Sequence, residues 1–423
     1  MQLKLGPASR KRAIAITVFV LAAIYVGIAG SLLLAGILAD NPDPARLRAA
    51  IHLDPSSADY HHRLGRYSDL VLNDPAAAQA HYHRAVQLNP HDARYWLDLA
   101  NNYQLLGDSN AQANAIERAV VVDPKTPDVA WEAANLYLVR GQTEKALSEF
   151  RLVMEGAPYL SGQALQLCWR ISPDVDHLLA TVIPPQPDAY IALLTQLMAK
   201  EDTSGTVKVW EALVHAHQTV QDREVFDLVR YLLFHKAVDD AHLVWRQAAS
   251  MLSMSAYLPS SNNLIVNGSF GLPILNGGFD WQYHKLPGVA LTLDSNESHD
   301  GHRSLEIMFD GPGVEDAGIY QVIAVQPDTS YEFTGYYKNE TIEGAGGPHF
   351  AVQDVYSGQT YFLSEELRDG AFWKSVIGEF TTGPESNLLV LRVQRIPAGS
   401  PIRGKMWIDD FRLVEKSAPE GAL

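Results

Sequence analysis

The chain has 423 residues, 47% of them apolar, with a formal net charge of −16. That length suits two or three domains, and the apolar share is enough to bury real cores, which argues against wholesale disorder. The acidic balance, with no compact Lys/Arg stripe beyond the N-terminus, argues against a phosphate backbone, so no nucleic-acid partner is expected. A single cysteine, Cys168, rules out an internal disulfide and a Cys-rich metal site, and its apolar surroundings predict a small core hydrophobe.

Residues 13–38 carry no charged side chain. At about 1.5 Å per residue such a helix is longer than a hydrocarbon core of ~30 Å, and it exceeds the usual apolar region of a cleavable signal. Cleavage near Ala39 would have Ile37 as a poor small-residue match, so a retained anchor is expected. Arg10, Lys11 and Arg12 precede the span, and the positive-inside rule then leaves residues 1–12 in the cytoplasm, 13–38 in the membrane and everything after Asp40 outside.

From about residue 44 the pattern becomes helical and periodic. Pro90, Pro124 and Pro158 are 34 apart (124 − 90, 158 − 124), as are Gly107 and Gly141, and Tyr103 and Tyr137. A 34-residue period is that of a stacked helix–turn–helix unit. Glycine serves the turn, where a left-handed backbone is cheap, and proline closes the second helix because it lacks the donor to continue it.

The stretch resembles the tetratricopeptide repeat (TPR) family. One copy has Trp96, Leu99, Ala100, Tyr103, Gly107, Ala119 and Pro124 at the family's positions; the next has Ala130, Ala134, Tyr137, Gly141, Ala146, Phe150 and Pro158. An earlier copy from Ala58 has Asn73 where glycine is usual. The resemblance implies an α-solenoid over 44–158 that binds other proteins and performs no chemistry, with its contact residues unspecified. Beyond Pro158 the match decays, but Trp210 and Trp245 are 35 apart (245 − 210) in apolar-periodic helices, which predicts diverged helical repeats over 159–254 with both indoles in the core. His61, His62, His81, His83 and His91 lack the i, i+4 spacing of a zinc pair and are expected to be half-buried or solvated.

After a Ser/Pro/Asn-rich junction the pattern changes to short strands between turns. Strands are predicted at 279–284, 289–293, 304–309, 319–325, 331–338, 349–356, 373–380, 388–396 and 406–414, which makes a β-sandwich over 262–415. With Phe333 and Tyr337 inward, Tyr336 and Lys338 face out, and so do Arg392 and Gln394, with Gln353 beside them.

This region resembles the galactose-binding-like sandwiches found as carbohydrate-binding modules. The resemblance rests on Asn263 to Phe270, Gly301 to Leu305, Val325 to Tyr331 and the closing Trp407 to Leu413. It implies a jelly roll, a glycan-binding surface and a structural calcium tying the first strand to the last. The matching acids are Asp409 and Asp410, but Gly271 stands where the family commonly has a glutamate ligand. Candidates for sugar contact are Tyr336, Lys338, Gln353, Trp373, Arg392 and Gln394, with Trp281, Tyr283 and Tyr361 as further aromatics.

The sequence contains no Gly-x-Ser-x-Gly elbow, His-Glu-x-x-His pair or phosphate-cradling glycine loop, so no catalytic residues are assigned and no enzyme is expected. The expectation is a membrane-anchored adaptor of the bacterial envelope, single-pass in the inner membrane with its bulk periplasmic. Its repeats would hold envelope proteins and its sandwich polysaccharide, in a setting such as exopolysaccharide assembly. The rivals are a structural subunit that binds no sugar, and a glycan-active enzyme.

Overall fold

The computed structural model describes residues 8–41, 43–368 and 370–416. Among them are helices throughout the first half, followed by two antiparallel sheets. Contacts divide the chain into two compact units, Met1–Leu193 and Leu194–Leu423, with the boundary inside one helix.

The first unit begins with α1 (Ala8–Ala39), the one helix among the described residues long and apolar enough to cross a membrane. Its mean hydropathy is 2.4 and only 6% of its most apolar window is buried. Its last turn differs: Ala35 and Ala39 are buried with Leu47, Ala50 and Leu64 of the helices that follow. Those helices are α2 (Pro44–Leu53), α3 (Ala58–Leu70), α4 (Pro75–Leu88), α5 (Ala93–Leu106), α6 (Ser109–Val122), α7 (Pro127–Val139), α8 (Thr143–Gly156), α9 (Ser161–Ile171) and α10 (Val175–Thr181), then α11 (Pro187–Ala199), which carries the boundary.

The period read from the prolines is the period of the helices: α4, α6 and α8 start at 75, 109 and 143, each 34 apart (109 − 75, 143 − 109). Asp74, Asp92 and Asp108 cap successive helices by accepting backbone N–H bonds with their carboxylates. Gly107 ends α5 at φ +76°, and Asn73 takes the same left-handed region (φ +52°) at the turn where glycine was missing. Asparagine enters that region more readily than other side-chain-bearing residues. Cys168 is buried as expected, and burial pushes its thiol up to about 12.

The second unit starts with α12 (Thr203–His215), α13 (Asp222–Phe234) and α14 (Val238–Met251). The strands are β1 (Gln282–Tyr283), β2 (Val289–Asp294), β3 (Ser304–Gly311), β4 (Asp316–Ala324), β5 (Ser330–Gly344), β6 (Gly347–Asp354), β7 (Thr360–Leu363), β8 (Lys374–Thr381), β9 (Leu388–Ile396) and β10 (Ile402–Glu415). One sheet has the order β1-β4-β9-β6-β7 and the other β2-β3-β10-β5-β8; both are antiparallel throughout. Phe270, Trp281, Phe333, Phe350 and Phe411 fill the space between them. Strand β7 escaped the sequence reading because four residues are too few to show alternation.

Helices α13 and α14 are packed onto the sandwich. Trp245 of α14 is fully buried beside Phe226 of α13 and Phe279, and its indole N–H donates to the Tyr257 carbonyl at 3.0 Å. Gly278 makes room for it: the residue sits at φ +61°, and a Cβ there would lie 2.1 Å from the indole. Trp210 is likewise buried, its N–H donating to Gln247 at 2.7 Å.

Candidate functional site

The outward directions inferred for the sandwich residues hold, but the residues fall on two different sheets. Tyr336 and Lys338 lie on β5 with Trp373 just before β8, whereas Gln353 lies on β6 and Arg392 and Gln394 on β9. The candidates therefore form two groups, one on each sheet. Parity along a strand tells which side a residue faces, but not which sheet the strand joins.

On the β5 face the groups are occupied with one another. Tyr336 stacks on His299 with centroids 3.6 Å apart, and Trp373 meets the same imidazole edge-on at 5.8 Å. Lys338 Nζ is 2.7 Å from Glu297 and lies over the Trp407 ring, whose N–H donates to Asp294 at 3.0 Å. His299 was not anticipated; it reaches the sheet from a loop, and no strand parity marks it.

On the β9 face the polar groups are likewise bonded to one another. Arg392 Nη2 donates to Gln353 Oε1, and the Gln353 amide donates to Thr360 Oγ1 at 2.9 Å and to Gln394 Oε1 at 3.3 Å. Asp316 is 3.9 Å from the guanidinium. Arg392 Nε is buried and has no hydrogen-bond partner. A buried donor left unmet costs about 1–3 kcal/mol, and this atom is too enclosed to meet a ligand directly.

Tyr320 of β4 is the register partner of Arg392 and adds an aromatic group to the same face. Its hydroxyl donates to Gln282 Oε1 at 3.1 Å; burial pushes the phenol up, and the nearby Arg230 of α13 pulls it the other way. Outward parity of β4 was the available signal for Tyr320. Of the remaining aromatics, Trp281 belongs to the core, Tyr361 packs against it on Phe380, and Tyr283 is exposed.

The calcium ligands inferred from the resemblance do not fit a cation. Asp409 is fully buried and accepts three backbone N–H bonds, from His299 (2.7 Å), Asp300 (3.0 Å) and Asp410 (2.7 Å). Burial raises its carboxyl despite those donors. Asp410 accepts from Arg412 Nε at 3.0 Å and lies 3.4 Å from His299 Nδ1. The carbonyls of Phe270 and Gly271 are also taken, by the Arg303 guanidinium at 2.6 and 2.9 Å. Each of these oxygens already accepts a hydrogen bond or lies beside a guanidinium, so a cation here would have to displace those donors. No group of three or more His, Cys, Asp or Glu among the described residues is placed to hold a metal.

In the first unit α3, α5 and α7 share a polar row: Asp98 pairs with His62 and lies 3.8 Å from Arg66, and Asn101 donates to Glu132 at 2.8 Å. Burial, with Asp98 nearby, raises the Glu132 carboxyl. His61 Nδ1 lies 3.4 Å from His81 Nδ1, and His83 Nε2 is 2.8 Å from the Tyr103 hydroxyl. A groove of about 1310 Å³ runs between α4, α5 and α6, with Trp96, Tyr103, Arg118 and Val121 in its lining.

No protein-family model and no curated protein sequence matches the chain. Solved structures overlap parts of it. "CBM4 structure and function" is 17% identical and covers 36% of this chain and 99% of its own, at a TM-score of 0.27. The CBM22-1 xylan-binding domain from Paenibacillus barcinonensis Xyn10C is 18% identical and covers 36% and 94%, at 0.26. A crystal structure of MamA protein is 17% identical and covers 40% and 96%, at 0.31. Overlaps this slight carry no argument about what the chain binds.

Proposed function

We propose that the chain is a membrane-anchored adaptor whose repeat helices hold another protein and whose sandwich binds a glycan on the β9 face. The observation that carries the glycan reading is the Arg392–Gln353–Gln394 network of planar polar groups on one face with Tyr320. Planar amide and guanidinium groups suit paired sugar hydroxyls, and a ring face suits the apolar C–H side of a sugar. The β5 face, where Tyr336 and Lys338 are engaged with His299 and Glu297, is the alternative surface.

Helix α1 supports an anchor by its length and exposed apolar surface, and the basic residues before it favour an extracytoplasmic remainder. The setting in this reading is the bacterial envelope, with the bulk of the chain periplasmic and exopolysaccharide assembly as the process it serves. No catalytic role is part of the proposal. The test is binding of detergent-solubilised full chain to an array of neutral and acidic glycans, alongside a C-terminal topology reporter. Retention on at least one glycan class and an extracytoplasmic reporter are the expected results. No retention on any glycan overturns the glycan reading, and a cytoplasmic reporter overturns the topology.

A further inference from the structure

Helix α13 sets one side of the β9 face. Phe226, Val229, Arg230, Leu233 and Phe234 line a cavity of about 430 Å³ whose other wall includes Gln282, Tyr320, Val322 and Tyr356 from the sandwich. That volume falls within the ~300–1,000 Å³ usual for ligand sites. The helix is fixed there at both ends. Gly277 admits the Phe226 ring at one end, and the Tyr356 hydroxyl donates to the Leu233 carbonyl at 2.8 Å at the other. Lys236 adds a cation 5.3 Å from the Tyr356 ring centroid. Leu388, on the outward parity of β9, is only 1% exposed, although its neighbour Arg392 on that side is half-buried.

Two side chains of α13 are not accounted for by this packing. Phe234 is 79% exposed although it borders the cavity, and the Arg230 side chain is 73% exposed and paired with Asp227 at 3.2 Å. An exposed phenylalanine and a guanidinium beside Tyr320 and the Gln282 amide repeat the chemistry of the Arg392 network, and the Tyr320–Arg392 register pair makes the two continuous.

We infer that the glycan site is a composite groove in which α13 is a wall, with Arg230 and Phe234 contacting the saccharide. The inference rests on the glycan reading above and adds the residues that no strand supplies. Phe234 covers an apolar sugar face, and Arg230 bonds hydroxyl or carboxylate oxygens on the side of the chain away from Arg392. The saccharide is a short segment held between helix and sheet, not a polymer lying flat on an open sheet.

The test measures affinity of the full chain for xylohexaose, a neutral probe, and hexagalacturonate, an acidic one. The comparison set is Arg230→Ala, Phe234→Ala and Arg392→Ala. Each α13 substitution is expected to weaken binding of the bound probe about tenfold, the size of one lost charged hydrogen bond or ring contact. Both side chains are exposed, so melting temperatures should match the parent, and a variant that melts like the parent reports on contact alone. Binding lost in Arg392→Ala but unchanged within about twofold in both α13 variants overturns the composite groove and leaves the glycan reading standing. Binding of neither probe by the parent overturns both.

Discussion

The two units hold together over different distances along the chain. In the first, partners sit about one repeat apart: His62 with Asp98, Asn101 with Glu132, Arg140 with Gln112. Each helix pair buries its apolar face on its neighbours, and what one repeat does the next does again. In the second, the opening segment is tied to the last strand, with Leu264 N–H donating to the Leu413 carbonyl and Asn263 to Phe411. Helix α14 there lodges its tryptophan against a turn more than thirty residues further on. A repeat array is built from local, replaceable contacts, whereas the second unit depends on a few long-range contacts that have no substitute.

The largest expected effect breaks the second kind of contact. Trp245→Ala removes a fully buried indole from the helix–sandwich seam and should cost about 3–5 kcal/mol. Calorimetry of the full chain should show the transition of the second unit moving down while that of the repeats stays in place. If both move together, the units are not independent and the comparison fails.

Next in size is a pH effect confined to the second unit. Asp280 is fully buried, one of its oxygens has no partner, and burial pushes its carboxyl up to about 6. The folded state thus holds this proton more tightly than the free chain does. Its contribution to stability is therefore full below the ordinary carboxyl value, and falls as pH rises through about 6. Two pH units correspond to about 3 kcal/mol. Relative to the parent, Asp280→Asn should flatten the decline in melting temperature between about pH 4 and pH 6.5; an unchanged slope would mean that the carboxyl titrates normally.

A smaller cost is expected in the repeats. Gly107→Ala forces a side chain to φ +76° and should lose about 1 kcal/mol, a penalty confined to one turn, read as a small downward shift of the first transition only. The smallest expected effect is none: with N–H donors on Asp409 and guanidinium groups on Asp410 and the Phe270 carbonyl, EDTA should leave both transitions where they are. A fall in the second transition on chelation, restored by calcium, would show that a cation displaces Arg303 or Arg412.

The same contrast explains what could be read from the residues. The repeats were legible because Pro90, Pro124 and Gly107 act on the chain beside them, and local rules recur at a fixed interval. The inward and outward faces of β5 and β9 were legible for the same reason. Assignment of Tyr336 and Arg392 to opposite sheets was not, because sheet order is set by pairings between strands far apart in sequence. The part played by Arg230 and Phe234 left no mark at all: α13 reads as an ordinary amphipathic helix, and only its packing on Gly277 brings it to β4. The acids of the resemblance, Asp409 and Asp410, have N–H groups, an arginine and His299 as their partners, and none of these was marked in the sequence.

The central claim is that the β9 face, and not the β5 face, takes the glycan. It is tested most directly by measuring saccharide affinity of full-length Arg392→Ala and Tyr336→Ala side by side. The account predicts a loss of tenfold or more for the first and parent-like affinity for the second. Parent-like binding by Arg392→Ala together with a loss in Tyr336→Ala would contradict it.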